Sequence, residues 1–111
     1  MQDIMEPLNE FLEEVKDLMG SSIYKVLLYG SYARGEQQED SDIDIMILTS
    51  LEREEEIKRT EYDICDIAFE YLMKYSMDIR AIVINYKHFN SWLDVLPYYK
   101  NVETEGVVLI A

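Results

Sequence analysis

Two short apolar runs, IYKVLLY at 23–29 and the alternating IDIMIL at 43–48, flank a polar segment that opens on Gly30-Ser31 and closes on Ser41-Asp42. Both runs are too short for a typical helix. They are rich in β-branched, aromatic and aliphatic side chains, so each is predicted to be a buried strand. The first closes on Gly30; the second is entered by Asp42 and ended by Thr49-Ser50. The polar segment from Ser31 to Ser41 is expected to begin with a short helical turn.

Helical periodicity surrounds this pair. Ile4, Leu8, Phe11, Leu12, Val15, Leu18 and Met19 recur at steps of three and four and form one apolar stripe. Pro7 belongs in the first turn, where its missing N–H costs least, and Gly20-Ser21-Ser22 ends the helix. From about Glu52 to Tyr75 the helical pattern returns, with Ile57, Ile64, Ala68, Tyr71, Leu72 and Tyr75 on the buried side. A third strand is expected near Met77–Ile84, then a loop and a short amphipathic helix around Trp92, Leu93 and Leu96, interrupted at Pro97. Val102–Glu105 reads as another helical turn and Val107–Ile110 as a last strand after Gly106. The expected fold is α/β in the α+β sense: one domain over 1–111, a small mixed β-sheet with helices packed on it.

Composition narrows the function. The chain has 111 residues, enough for one compact domain. No apolar run approaches the roughly 20 residues of a membrane span, so no membrane association is expected. Asp3 and Glu6 stand where a signal peptide would carry positive charge, and the single cysteine, Cys65, cannot form an internal disulfide. A cytoplasmic location is the expectation. With 23 acidic against 10 basic residues the net charge is −13, which repels nucleic acid at long range and argues against direct nucleic-acid binding. A small ligand, a metal ion or a basic protein partner suits such a surface better.

The chemistry concentrates between Gly30 and Asp44, GSYARGEQQEDSDID. Gly30-Ser31 joins a buried strand to a helical turn, where free N–H groups can cradle a phosphate and glycine lets the backbone come close. Taken alone, the same pair could mark only a turn. Asp42 and Asp44 bracket Ile43, so both carboxylates project from one face of a strand while Ile43 enters the core. Their mutual repulsion is expected to raise the pKa of one of them. A hard cation between them would relieve it, magnesium being suited to a few carboxylates plus substrate phosphates. The competing reading is a pair of solvated turn acids. Asp78 enters the next expected strand; beside Asp42–Leu48 its carboxylate would reach the same place, and otherwise it is a junction acid.

Gly30-Ser31, then ten residues, then Asp42-Ile43-Asp44, with Asp78 on a following strand, resembles the DNA-polymerase-β-type nucleotidyltransferase superfamily. The longer string Gly30-Ser31-Tyr32-Ala33-Arg34-Gly35 with Ser41-Asp42-Ile43-Asp44 resembles its minimal nucleotidyltransferase branch. The resemblance runs from the first helix to Glu105-Gly106-Val107-Val108. It implies a polymerase-β-like fold and transfer of AMP from ATP. Asp42, Asp44 and Asp78 would be catalytic residues and metal ligands, holding two Mg2+ ions, with Asp78 also accepting the nucleophile's proton. Gly30 and Ser31 would grip the terminal phosphates, with Arg34 neutralising their charge; the alternative for Arg34 is a surface pair with Glu36 or Glu39.

Other residues are expected to be structural. His88 reads as a surface residue, Cys65 as a small buried hydrophobe, Asp63 and Asp66 as a solvated helix face, and Glu52–Glu56 as a helix N-terminus. The cluster Phe89, Trp92, Pro97, Tyr98 and Tyr99 is expected in the core rather than at a partner surface. Because the chain is too small to carry an acceptor-binding domain, the resemblance implies a partner: such proteins accompany a HEPN-domain RNase toxin and act as its antitoxin by transferring AMP from ATP to a toxin tyrosine. Two alternatives stand beside it. One is a non-catalytic module that neutralises its partner by occlusion; the other is nucleotidyl transfer to a small molecule or RNA end.

Overall fold

The computed structural model describes residues 5–36 and 42–111. Helix α1 spans Met5–Met19 and buries Pro7, Leu8, Phe11, Leu12, Val15 and Met19, the stripe read from the sequence, except that Leu18 turns outward. Ile4 lies outside the described residues. A 3-10 turn, Gly20–Ser22, leads into strand β1, Ile23–Tyr29. A one-turn helix α2, Ser31–Arg34, follows at once, then strand β2, Ile43–Thr49. Helix α3, Glu54–Tyr75, carries Glu54, Glu55 and Glu56 in its first turn, matching the positive end of its dipole. Strand β3 is Ile79–Asn85, helices α4 and α5 are Tyr86–Ser91 and Pro97–Glu105, and strand β4 is Val107–Ile110.

The four strands form one mixed sheet in the order β3-β2-β1-β4. β1 runs antiparallel to both β2 and β4, whereas β2 and β3 are parallel, with α3 as the crossover between them. Strand alternation sorts the side chains onto two faces. Val26, Leu28, Ile43, Ile45, Ile47, Ile79 and Val83 pack with Phe11 of α1 and Ile64, Ala68 and Tyr71 of α3 in the main core. On the opposite face Leu27, Met46 and Leu48 meet a smaller cluster completed by Phe89 of α4 and Val102 of α5. Asp42 and Asp44 share the parity of Met46 and Leu48, so they belong to this thinly covered second face.

Several expectations are corrected. Helix formation after β3 begins earlier than expected, at Tyr86, because the Asn85 side chain accepts hydrogen bonds from Lys87 N and His88 N and caps it. Pro97 does not interrupt a helix; it starts α5, where its fixed φ and missing N–H suit the first turn. The segment Trp92–Leu96 is therefore a connection between α4 and α5. Of the aromatic cluster only Phe89 is buried; Tyr99 is half-buried, and Trp92, Pro97 and Tyr98 are exposed. Two short helices cover too little of the sheet to enclose the rest. Cys65 and Leu72 are also exposed, each lying about 100° around α3 from the buried Ile64 and Tyr71.

One buried polar side chain ties the sheet ends together. Thr49 is fully buried; its hydroxyl donates to Ser22 O at 2.7 Å and accepts from Leu51 N at 3.1 Å. Thr49→Val keeps the shape but removes both bonds. It is expected to cost about 1–3 kcal/mol in chemical denaturation, through the partners left unsatisfied; an unchanged midpoint would show that water replaces the hydroxyl.

Candidate active site

The junction between β1 and α2 takes the chain through a conformation reserved for glycine. Gly30 has φ 75° and ψ −152°, and a Cβ built there would lie 2.5 Å from Asp44 Oδ2. The Asp44 carboxylate thus rests against the bare Gly30 backbone, placing one end of the motif on the other. α2 follows, its first-turn N–H groups without helical partners as at any helix start. It closes with Arg34 N donating to Gly30 O and Glu36 N to Ser31 O. Ser31 is half-buried at this junction.

β2 and β3 bring in the other two acids. Their parallel register opposes Ile43 to Ile79 and Asp44 to Arg80, and Ile43 N donates to Asp78 O at 2.8 Å. One step before the register, Asp42 and Asp78 therefore stand side by side. The Asp44 carboxyl is held above its ordinary value, first by burial and then by the negative charges of Asp42 and Asp78, with Arg80 and Arg34 opposing. The repulsion expected from the spacing is present. Among the described residues, however, no three acidic, histidine or cysteine side chains close around one point as ligands of a single ion would.

Beside these acids stands a residue that the motif reading missed. Arg80 places Nε 3.3 Å from Asp42 Oδ2 and Nη2 3.3 Å from Asp78 Oδ2. One guanidinium bridges the two outer acids. The signal was a lone charge inside the apolar run Ile79–Ile84, which strand alternation sends to the same face as Asp42 and Asp44. Arg34 pairs with Glu36 at 2.9 Å, one of the two partners anticipated, and with Glu105 of α5 at 3.3 Å; Glu39 lies outside the described residues. On the β1 side Tyr29 opposes Asp44 in the ladder, and its hydroxyl lies 2.7 Å from the Tyr98 hydroxyl of α5. Burial and that hydrogen bond hold the Tyr29 phenol far above its ordinary range. His88, Asp63 and Asp66 are exposed, as expected.

The arrangement is an all-oxygen donor set beside a glycine-serine bend, on a sheet face open to solvent. Carboxylate oxygens are the ligands a hard divalent cation takes, and their uncompensated repulsion at Asp44 would be relieved by one. A separate cleft of about 430 Å3, lined by residues including Met19, Arg53 and Arg59, lies at the other end of β2 and contains none of these groups.

Comparison with known proteins gives the family and the fold. The chain belongs to the nucleotidyltransferase domain family, whose pattern matches residues 8–110. It is a nucleotidyltransferase. Two similar proteins of Methanocaldococcus jannaschii, each named a "putative protein adenylyltransferase", are 35% identical over 103 residues and 31% identical over 97 residues. The alignments cover 92% and 87% of this chain and 93% and 95% of those proteins. Among solved structures, a nucleotidyltransferase-like protein from Sulfolobus solfataricus superposes with a TM-score of 0.58 at 19% identity, over 95% of this chain and 78% of that one. A toxin–antitoxin structure containing AMP-PNP superposes at 0.57 and 19%, over 90% of this chain and 70% of its own. The mixed sheet with its helices is thus shared with nucleotidyltransferase structures. Among the described residues no helix is long and apolar enough to cross a membrane.

Two outcomes follow from the site geometry. Gly30→Ala forces a side chain into the left-handed region and displaces the Asp44 carboxylate; a loss of about 1–3 kcal/mol in stability is expected in chemical denaturation. The Asp44 carboxyl titrates higher in the fold than in the unfolded chain. Its contribution to stability is therefore full below the ordinary value of 3.8 and is lost as pH rises through the folded value. In chelator at pH 7, Asp44→Asn is expected to melt a few degrees above the wild type, with the difference closing toward pH 4. A variant that melts lower at pH 7 would contradict the repulsion.

Proposed function

We propose that this chain transfers AMP from ATP to a hydroxyl of a partner protein, a tyrosine of a HEPN-domain RNase toxin, and thereby acts as that toxin's antitoxin. The observation that carries the reading is the joining of Gly30 to Asp44, with Asp42 and Asp78 side by side on the paired strands. The names of the relatives support protein adenylylation, and those of the structural neighbours support a toxin partner and an ATP-like ligand. The HEPN identity and the tyrosine come from the resemblance of the motif.

In this reading Asp42, Asp44 and Asp78 would hold two magnesium ions. When bound, these supply neutralisation of the triphosphate and activation of the attacking hydroxyl. Gly30 and Ser31 receive the terminal phosphates on the backbone N–H groups of the α2 turn and the Ser31 hydroxyl. Arg34, released from Glu36 or Glu105, adds positive charge to the same phosphates. The acceptor oxygen bonds to the α-phosphorus as the bond to pyrophosphate breaks, and Asp78 takes the hydroxyl proton. No covalent enzyme intermediate is needed, since positioning and electrostatics are enough. The net charge of −13 suits docking to a basic RNA-cutting partner.

The bridging of Asp42 and Asp78 by Arg80 favours a second reading, in which the site is neutralised and the chain silences its partner by occlusion alone. Incubation with labelled ATP, magnesium and the candidate partner separates the two. Label on the partner that disappears in the Asp42→Asn/Asp44→Asn double variant supports transfer; absence of label with equal protection by both proteins in a toxicity assay supports occlusion. Magnesium is also expected to raise the melting temperature of the native chain by mass action and to leave the double variant unmoved. Identical curves in chelator and in magnesium would remove the metal from the account.

A further inference from the structure

We infer that Arg80 is a built-in counter-ion of the acidic site, one that a divalent cation must displace to bind, so that Arg80 sets the metal affinity. The inference rests on the metal reading of Asp42, Asp44 and Asp78 given above and extends it to a residue the motif does not include.

Three observations place Arg80 in competition with a cation. Its guanidinium pairs with Asp42 and Asp78 at 3.3 Å each, and its backbone stands opposite Asp44 in the parallel register. It therefore pairs with two of the three acids and starts from the strand position opposite the third. The outer acids pair with the fork of one planar group, and among the described residues no three acids close on a common point. One guanidinium brings a single positive charge to a group of three carboxylates, so it neutralises the cluster incompletely. A divalent ion would do more.

The arrangement is also built to release. The Arg80 side chain is 62% exposed, and its two partners are 38% and 40% exposed. Exposed ion pairs of this kind are individually weak and screened by water. Freed of its acids, the long side chain can swing from the sheet face into solvent without opening the core, because Ile79 and Val83, its buried strand neighbours, face the other way. A strand arginine needed only for packing would be buried along its stem. This one is not.

The test uses the full chain with magnesium alone, without nucleotide or partner. Arg80→Gln is expected to lower the apparent dissociation constant for magnesium by about five- to tenfold in calorimetry, as competition and cation–cation repulsion are both removed. In chelator the same variant is expected to melt below the wild type, and then to gain more from magnesium. Arg80→Lys, with one point charge in place of the fork, should fall between the two and keeps the test open if the glutamine variant folds poorly. Arg53→Gln is the control: it too removes one positive charge paired with two acids, Glu55 and Glu56, but at the opposite end of the sheet. It should leave magnesium affinity where it was. Equal affinity in wild type and Arg80→Gln, or an equal gain in Arg53→Gln, overturns the inference while leaving the metal site intact. No magnesium response in any of the chains overturns both.

Discussion

Parallel pairing of β2 with β3 is the constraint on which the candidate site depends. An antiparallel neighbour would have presented its far end to Asp42; the parallel one starts beside it and delivers Asp78 and Arg80 to the same edge of the sheet. That pairing requires a long crossover, and α3 supplies it. The main core serves the same end. Ile43, Ile45 and Ile47 bury one face of β2 against α1 and α3, and alternation then leaves Asp42 and Asp44 no choice but the other face. The hydrophobic packing on one side of the sheet thus dictates where the charges stand on the other.

What the second face does with those charges is a matter of unequal covering. α4 and α5 each bury one large side chain against it, Phe89 and Val102, and leave the end near Gly30 open. The Tyr29–Tyr98 hydrogen bond and the Arg34–Glu105 pair tie α5 to the β1–α2 corner. The site therefore has a rigid floor, the sheet, and a lighter wall held by contacts that water can reach. Such a division would suit the proposed transfer, in which a triphosphate and a protein acceptor approach from the same side.

Much of this was legible in the sequence because it rests on short-range rules. The strands at 23–29 and 43–48, the helices α1 and α3, and the common face of Asp42 and Asp44 all follow from periodicity. The proximity of Asp78 needed the strand order, which no local pattern carries. It was reached as a condition, that the third strand lie beside the second. Arg80 was overlooked because a single arginine in an apolar strand has no motif; its meaning appears only when the register sets it opposite Asp44. The region after β3 was misread for a different reason. A proline reads as a helix breaker by default but here starts a helix, and the aromatic side chains read as core although the helices are too short to enclose them. Cys65 and Leu72 show that on a long two-sided helix one step along the chain separates interior from solvent.

The edge of the sheet formed by β3 bears on how this chain avoids unwanted company. Glu61 of α3 reaches over it and accepts a hydrogen bond from Val83 N at 2.8 Å. A carboxylate sits where a neighbouring molecule's carbonyl would have to dock, and any strand arriving there meets a negative charge instead of a free donor. Pairing of a further strand at Val83 is therefore disfavoured on that margin.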